Sequence, residues 1–187
     1  MNFEFSADQM QLKDIARKFL EKEGAVERAR NVLEGEESFD ENLWQQIIEM
    51  GFTATAIPEE YGGLGLGYLE LCVIAEELGR SLAPTPFSSS VYLATEAILN
   101  SEDDSLKQNY LPSLANGEKI GSFAHSESNT SPTESNIQCN VSGNALSGKK
   151  IAVVDGDISN FFVVSAKNGS NVGLYLVDAS SDGVGIE

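Results

Sequence analysis

The run Leu111-Pro112-Ser113-Leu114-Ala115-Asn116-Gly117-Glu118-Lys119-Ile120-Gly121-Ser122-Phe123-Ala124 changes its hydrophobic period halfway along. Leu106, Tyr110, Leu111 and Leu114 recur at the spacing of one helix face, so a helix is predicted over about Asp104 to Ala115. From Lys119 to Ala124 the pattern shifts, imperfectly, to the two-residue alternation of a strand. A domain boundary is therefore placed near Gly117. Pro112 predicts a kink or break in the helix before it, because proline removes a backbone donor.

Upstream of this boundary the chain reads as helices. Ser6 and Gln9 form a capping-box pattern, and Leu12, Ile15, Ala16, Phe19 and Leu20 follow as one apolar face. A second helix begins after Phe39-Asp40, carries Leu43, Trp44, Ile47 and Ile48, and ends at Gly51. A glycine-rich loop spans Pro58 to Gly67. A third helix is predicted over Tyr68 to Leu78 with Gly79 as its stop, and a further helix after Pro86. Downstream, Ile137, Cys139 and Val141 alternate strictly, and Ala145 to Val154, Asn160 to Ser165 and Val172 to Val177 are strand candidates. Ser142-Gly143-Asn144, Asp155-Gly156-Asp157 and Lys167-Asn168-Gly169 read as turns. The fold class is α+β: an all-helical bundle domain over residues 1–118, then an antiparallel β-barrel or sandwich over residues 119–187.

Charge follows the same division. The 187-residue chain carries 29 acidic and 12 basic side chains, a net of −17. Residues 1–118 hold 22 acids and 8 bases, a net of −14, and residues 119–187 hold 7 acids and 4 bases, a net of −3. An excess of this size argues against nucleic-acid partners and anionic membrane surfaces, both polyanions. No apolar run approaches the roughly 20 residues of a membrane span, and Met1-Asn2-Phe3-Glu4-Phe5 lacks the features of a secretory signal. Cys72 and Cys139 read as buried thiols of a cytoplasmic protein.

Most motifs yield a bland reading. Gly62-Gly63-Leu64-Gly65-Leu66-Gly67 follows no strand of a βαβ unit and lacks a Lys-Ser/Thr ending, so it is a tight turn rather than a nucleotide loop. His125, the sole histidine, has no nucleophile elbow to serve and no companion histidine for a metal. Glu36-Glu37, Glu59-Glu60, Glu76-Glu77 and Asp103-Asp104 read as solvated charge, and Trp44 as core.

Several segments in order resemble the acyl-CoA dehydrogenase family. They are the Trp44 helix, Ala56-Ile57-Pro58-Glu59-Glu60-Tyr61-Gly62-Gly63-Leu64-Gly65, Glu76-Glu77-Leu78-Gly79-Arg80, Leu111 through Glu118, and Gly148-Lys149-Lys150-Ile151. The resemblance implies an N-terminal helical domain, a middle β domain and a C-terminal four-helix domain, the last absent from this sequence. With 69 residues after Glu118, the β domain is expected to be incomplete. It further implies an oxidoreductase of acyl-CoA catabolism that binds FAD. A glutamate takes a proton from an acyl-CoA and the flavin takes a hydride. That glutamate usually lies on the C-terminal domain, so no catalytic residue is assigned here and this chain by itself is expected to be inactive.

Phe123-Ala124-His125-Ser126-Glu127 resembles the family's aromatic-x-x-Thr-Glu strand. The resemblance makes Phe123 an aromatic wall, Ser126 a hydroxyl for the flavin edge, and His125 a backbone contact. No metal site is expected. Ser128-Asn129-Thr130-Ser131-Pro132-Thr133 replaces the family's glycine-bearing phosphate loop, and Ala152 and Val154 stand where a Trp and a Ser/Thr usually meet the flavin. These departures leave a second reading, a non-catalytic dehydrogenase-like subunit that pairs with an active homologue. Both readings expect an oligomer, homomeric or heteromeric, with acyl-CoA as the substrate.

Overall fold

The structure is a computed structural model and describes residues 4–129 and 133–187. It divides into two compact units. The first comprises the chain through Phe87 together with Ser101–Glu118, and the second comprises Ser88–Asn100 and Lys119–Glu187. Among the described residues no helix is long and apolar enough to cross a membrane.

The first unit holds α1 (Ala7–Lys22), α2 (Ala25–Glu34), α3 (Glu41–Glu49), α4 (Tyr68–Arg80) and, beyond the second unit's helical segment, the helix Asp104–Ala115. Local side-chain chemistry sets most of their starts. The Ser6 hydroxyl accepts from the Gln9 amide at 3.1 Å while the Gln9 side chain accepts from the Ser6 amide at 2.9 Å. Asp40 and Asp103 cap α3 and Asp104–Ala115 in the same way, accepting from Leu43 N and from Ser105 and Leu106 N. α1 packs along α4, and Ala16, Leu20, Leu43, Trp44, Ile47, Val73 and Ile74 are buried. Trp44 meets Phe87 edge to face at 6.5 Å.

Three features differ from the sequence reading. α2 was not expected: its start at Gly24 has no side-chain cap, and nothing local marks it. α4 runs through Gly79 to Arg80, since a glycine inside a well-packed helix lowers stability without ending it. Pro112 lies inside Asp104–Ala115, which continues across it; the carbonyl of Pro112 still accepts from Asn116 N at 3.1 Å.

The glycine-rich loop folds back on the segment before it. Leu64 N donates to Ala54 O, Gly65 N to Ile57 O and Leu66 N to Thr55 O, each at 2.9 Å. Gly63 lies so close to this segment that a Cβ would fall 1.9 Å from the Ile57 carbonyl oxygen. The clash is with backbone, so the loop itself must shift. Gly63→Ala is expected to cost about 1–3 kcal/mol, measured by denaturant unfolding, whereas Gly79→Ala, with open space around its Cβ, should be neutral or stabilising.

The second unit is a mixed sheet with a helical segment against it. Its strands are β1 (Gly121–Ala124), β2 (Asn140–Ser142), β3 (Ala145–Ser147), β4 (Phe161–Asn168) and β5 (Asn171–Asp178). β4 is central. β1 runs parallel to its first half, β2 meets it in parallel at Lys167, and β5 lines its other edge antiparallel over the full length. Short strands alone had suggested purely antiparallel pairing. The parallel β1–β4 pair is possible because the 36 residues between them exceed the dozen or so a crossover requires. The helical segment is π-helical over Ser88–Thr95 and continues as α5 (Glu96–Leu99), the Thr95 hydroxyl donating to Ser90 O at 2.8 Å. It lies against β1 at Gly121, where a Cβ would sit 2.7 Å from Ala94 Cβ and 2.4 Å from the Phe161 ring. On the other face Ala124, Phe162 and Val164 form a core with Leu146, Val153 and Val177.

Candidate functional site at the end of the first β-strand

Alternation along β1 and β4 decides which side chains meet. Phe123 pairs in register with Val163, and continuing the parallel register places His125 beside Ser165. The rings of Phe123 and His125 are 5.7 Å apart, and His125 Nδ1 is 2.8 Å from Ser165 Oγ. Behind them lies Lys150, only 8% exposed. Its ammonium donates to the Glu127 carboxylate at 2.7 Å, to Ser165 Oγ at 3.0 Å and to the His125 carbonyl at 3.1 Å. Glu127 also accepts from the amides of Gln138 and Cys139. Burial alone would push the Glu127 carboxyl up, but the Lys150 ammonium and these two amides outweigh it and bring it down to about 2. Ile151 N donates to Ser126 O at 2.8 Å, so Lys150 and Ile151 together clamp three consecutive residues, 125 to 127.

The predicted residues therefore arrive in two groups. Phe123 and His125 are half-buried neighbours. Of the His125 backbone, which the resemblance offers to a ligand, the carbonyl is taken up by Lys150, while the ring is tied to Ser165. Ser126 lies beyond the end of β1, and among the described residues its hydroxyl takes no hydrogen-bond partner. An open hydroxyl and a half-buried aromatic face suit the edge and plane of a flavin. The expected strand from Ala145 to Val154 ends at Ser147. Ala152 and Asp155 both have positive φ, 51° and 54°, so the segment turns instead of extending. Ala152 and Val154 are exposed and add neither a ring nor a hydroxyl. Of the departing loop, Thr130, Ser131 and Pro132 lie outside the described residues.

Other sequence readings change. Glu77 is not solvated: it is fully buried, paired with Arg17 at 2.7 Å and Arg80 at 2.7 Å. The Arg17 hydrogen bonds, against the opposing effect of burial and with help from Arg80, bring its carboxyl down to about 2. Cys72 is exposed, while Cys139 is buried. Lys150 enters the sequence reading only as part of Gly148-Lys149-Lys150-Ile151 and Ser165 only as the end of a strand candidate, because their partners lie 15 to 40 positions away in sequence. The turn at Asp155-Gly156-Asp157 closes on a buried serine group: Ser89 donates to the Asp155 carboxylate, and Ser159 to the Asp155 carbonyl at 2.7 Å.

Comparison with known proteins agrees with this architecture. The family description "Acyl-CoA dehydrogenase, N-terminal domain" matches residues 6–118. The chain is 32% identical over 183 residues to the mitochondrial isovaleryl-CoA dehydrogenase of Arabidopsis thaliana, covering 94% of this chain and 44% of that protein. Among solved structures it resembles the ChsE4-ChsE5 complex of Mycobacterium tuberculosis, with TM-score 0.86 and 28% identity over 98% of this chain and 50% of that one. The butyryl-CoA dehydrogenase of Megasphaera elsdenii shares the fold, with TM-score 0.82 and 23% identity over 98% of this chain and 51% of that one. The chain thus spans about half the length of the relatives it matches. On the helical half, the order of its segments and the mixed sheet that follows, the chain belongs to the acyl-CoA dehydrogenase family.

Proposed function

We propose that this chain forms part of a FAD-dependent acyl-CoA dehydrogenase that introduces an α,β double bond into an acyl-CoA thioester. Residues 1–118 would serve as the N-terminal helical domain, and residues from 119 onward as part of the middle β domain. The observation that carries the reading is the clamped end of β1, where Phe123 presents a half-buried ring and Ser126 an open hydroxyl. FAD, when bound, supplies the hydride acceptor. The chain's own part is to hold it: Ser126 donates to an acceptor on its edge, and Phe123 packs on it and excludes water. Glu127 is not the base. Its carboxylate is held by Lys150 and two amides, and a group brought down to about 2 is too weakly basic to take a proton from carbon. The proposal also makes the protein an oligomer of dehydrogenase-like subunits, in keeping with the two-protein complex among its structural relatives.

The visible spectrum of the purified full-length protein tests this. A flavin band that bleaches anaerobically on adding an acyl-CoA is expected. No flavin in any preparation, with tight association to a homologous subunit, would instead make it a non-catalytic partner, the reading that Ala152 and Val154 favour.

A further inference from the structure

We propose that Lys150 is a positioning residue for flavin binding: it fixes residues 125 to 127 so that the Ser126 hydroxyl is already in place when FAD arrives. The inference rests on the flavoprotein reading above and adds to it the group that sets the site. Residues 125 to 127 lie past the end of β1 and outside its ladder with β4. A segment there keeps backbone freedom that a ligand has to remove on binding, unless the fold has removed it already. One side chain does most of this. An ammonium has three N–H groups, and Lys150 spends all three, on the His125 carbonyl at 3.1 Å, the Glu127 carboxylate at 2.7 Å and the Ser165 hydroxyl oxygen at 3.0 Å. None is left for a ligand, so Lys150 acts through the chain it holds and not by touching the flavin. The residues on either side of Ser126 are thus fixed to one point, and Ile151 N donates to the Ser126 carbonyl itself at 2.8 Å. Ser165, on β4 and 1% exposed, ties that point to the central strand. Glu127 ties it to the amides of Gln138 and Cys139, just ahead of β2. With both neighbours and its own carbonyl secured, Ser126 has its backbone set, and the reach of its hydroxyl is set with it.

FAD affinity of the full-length protein, read by flavin fluorescence as the apoprotein is titrated, tests this in a double-variant cycle. Ser126→Ala should weaken binding about fivefold in the parent, the loss typical of one hydrogen bond. Lys150→Met should weaken it by at least about fivefold, because the hydroxyl is then misplaced. Adding Ser126→Ala to Lys150→Met should cost less than about twofold more, since a misplaced hydroxyl has little left to lose. Stability is separated from position by Lys150→Met with Glu127→Leu, which removes the buried carboxylate along with its partner. Its denaturant midpoint should move back towards the parent while FAD affinity stays low. The same replacement carries the cycle where Lys150→Met alone does not fold. A Ser126→Ala cost as large in either Lys150→Met background as in the parent overturns the positioning role. So does FAD affinity that returns together with stability in the Lys150→Met, Glu127→Leu protein. Both results leave FAD bound and the flavoprotein reading intact. Binding unchanged by Ser126→Ala in the parent overturns the serine's part in the site, and the positioning role with it. A protein that takes up no FAD overturns the flavoprotein reading and everything that rests on it.

Discussion

Glu77→Ala is expected to destabilise the protein by about 3 kcal/mol, the lower end of the range for breaking a buried ion pair. The carboxylate is fully buried, but Arg17 and Arg80 are 41% and 43% exposed and can rehydrate once it is gone. What cannot be recovered is the bridge between α1 and α4, since Arg17 lies on the first and Glu77 and Arg80 on the second. Arg17→Ala leaves the buried carboxylate with Arg80 alone, so the double variant should cost less than the two single costs added. The pH dependence has a definite sign. The folded-state pKa of Glu77 is depressed from the ordinary 4.5 to about 2. Its contribution to stability is therefore complete above about pH 4.5 and is lost as pH falls towards 2. Denaturant unfolding across that window should show a steeper acid loss in the parent than in Glu77→Ala. Parallel curves would show that Glu77 contributes nothing through its charge.

Lys150→Met should be costlier, about 3–5 kcal/mol. Neither partner reaches water: the Lys150 and Glu127 side chains are 8% and 10% exposed. Removing the ammonium leaves a buried carboxylate with two amides for company, and leaves the His125 carbonyl and Ser165 oxygen each short of a donor. The Glu127 carboxyl should then rise from about 2, because burial is no longer opposed by a cation. Stability lost on acidification below about pH 4.5 in the parent should accordingly shrink in the variant. The double replacement Lys150→Met with Glu127→Leu should recover part of the stability, since an apolar pair can replace a buried ionic one at little cost. Denaturant midpoints of the three variants measure all of this. A Lys150→Met protein as stable as the parent would contradict the clamp.

What could be read from sequence follows from the range of the interactions. Ser6 with Gln9, and Asp40 with Leu43, are bonded within three positions, so the helix starts they set were legible. The span Asp104–Ala115 was legible because its apolar spacing is strong. α2 was not, for Gly24 offers no capping side chain. The strand read as running to Val154 stopped at Ser147 because alternation there is a poor guide: Ala152 turns at positive φ. Glu77 looked like half of an acidic surface pair, and only tertiary packing brings Arg17 to it from 60 positions away. At the candidate site Phe123, His125 and Ser126 came from family resemblance. Lys150 and Ser165 give no local signal, since a lysine on a short segment and a serine on a strand are ordinary in isolation.

The placement of Ser88–Asn100 with the sheet has a consequence for taking the protein apart. The chain leaves the helical unit at Phe87, visits the β unit, returns for Ser101–Glu118, and leaves again. No single cut therefore yields two self-sufficient pieces. A fragment ending at Glu118 would keep Ala94, which lies against β1 at Gly121, but lose that strand, and would be prone to self-association. A fragment starting at Lys119 would leave Gly121 and Phe161 uncovered. Dissection by expression of parts needs a permuted or two-chain design that returns residues 88–100 to the sheet.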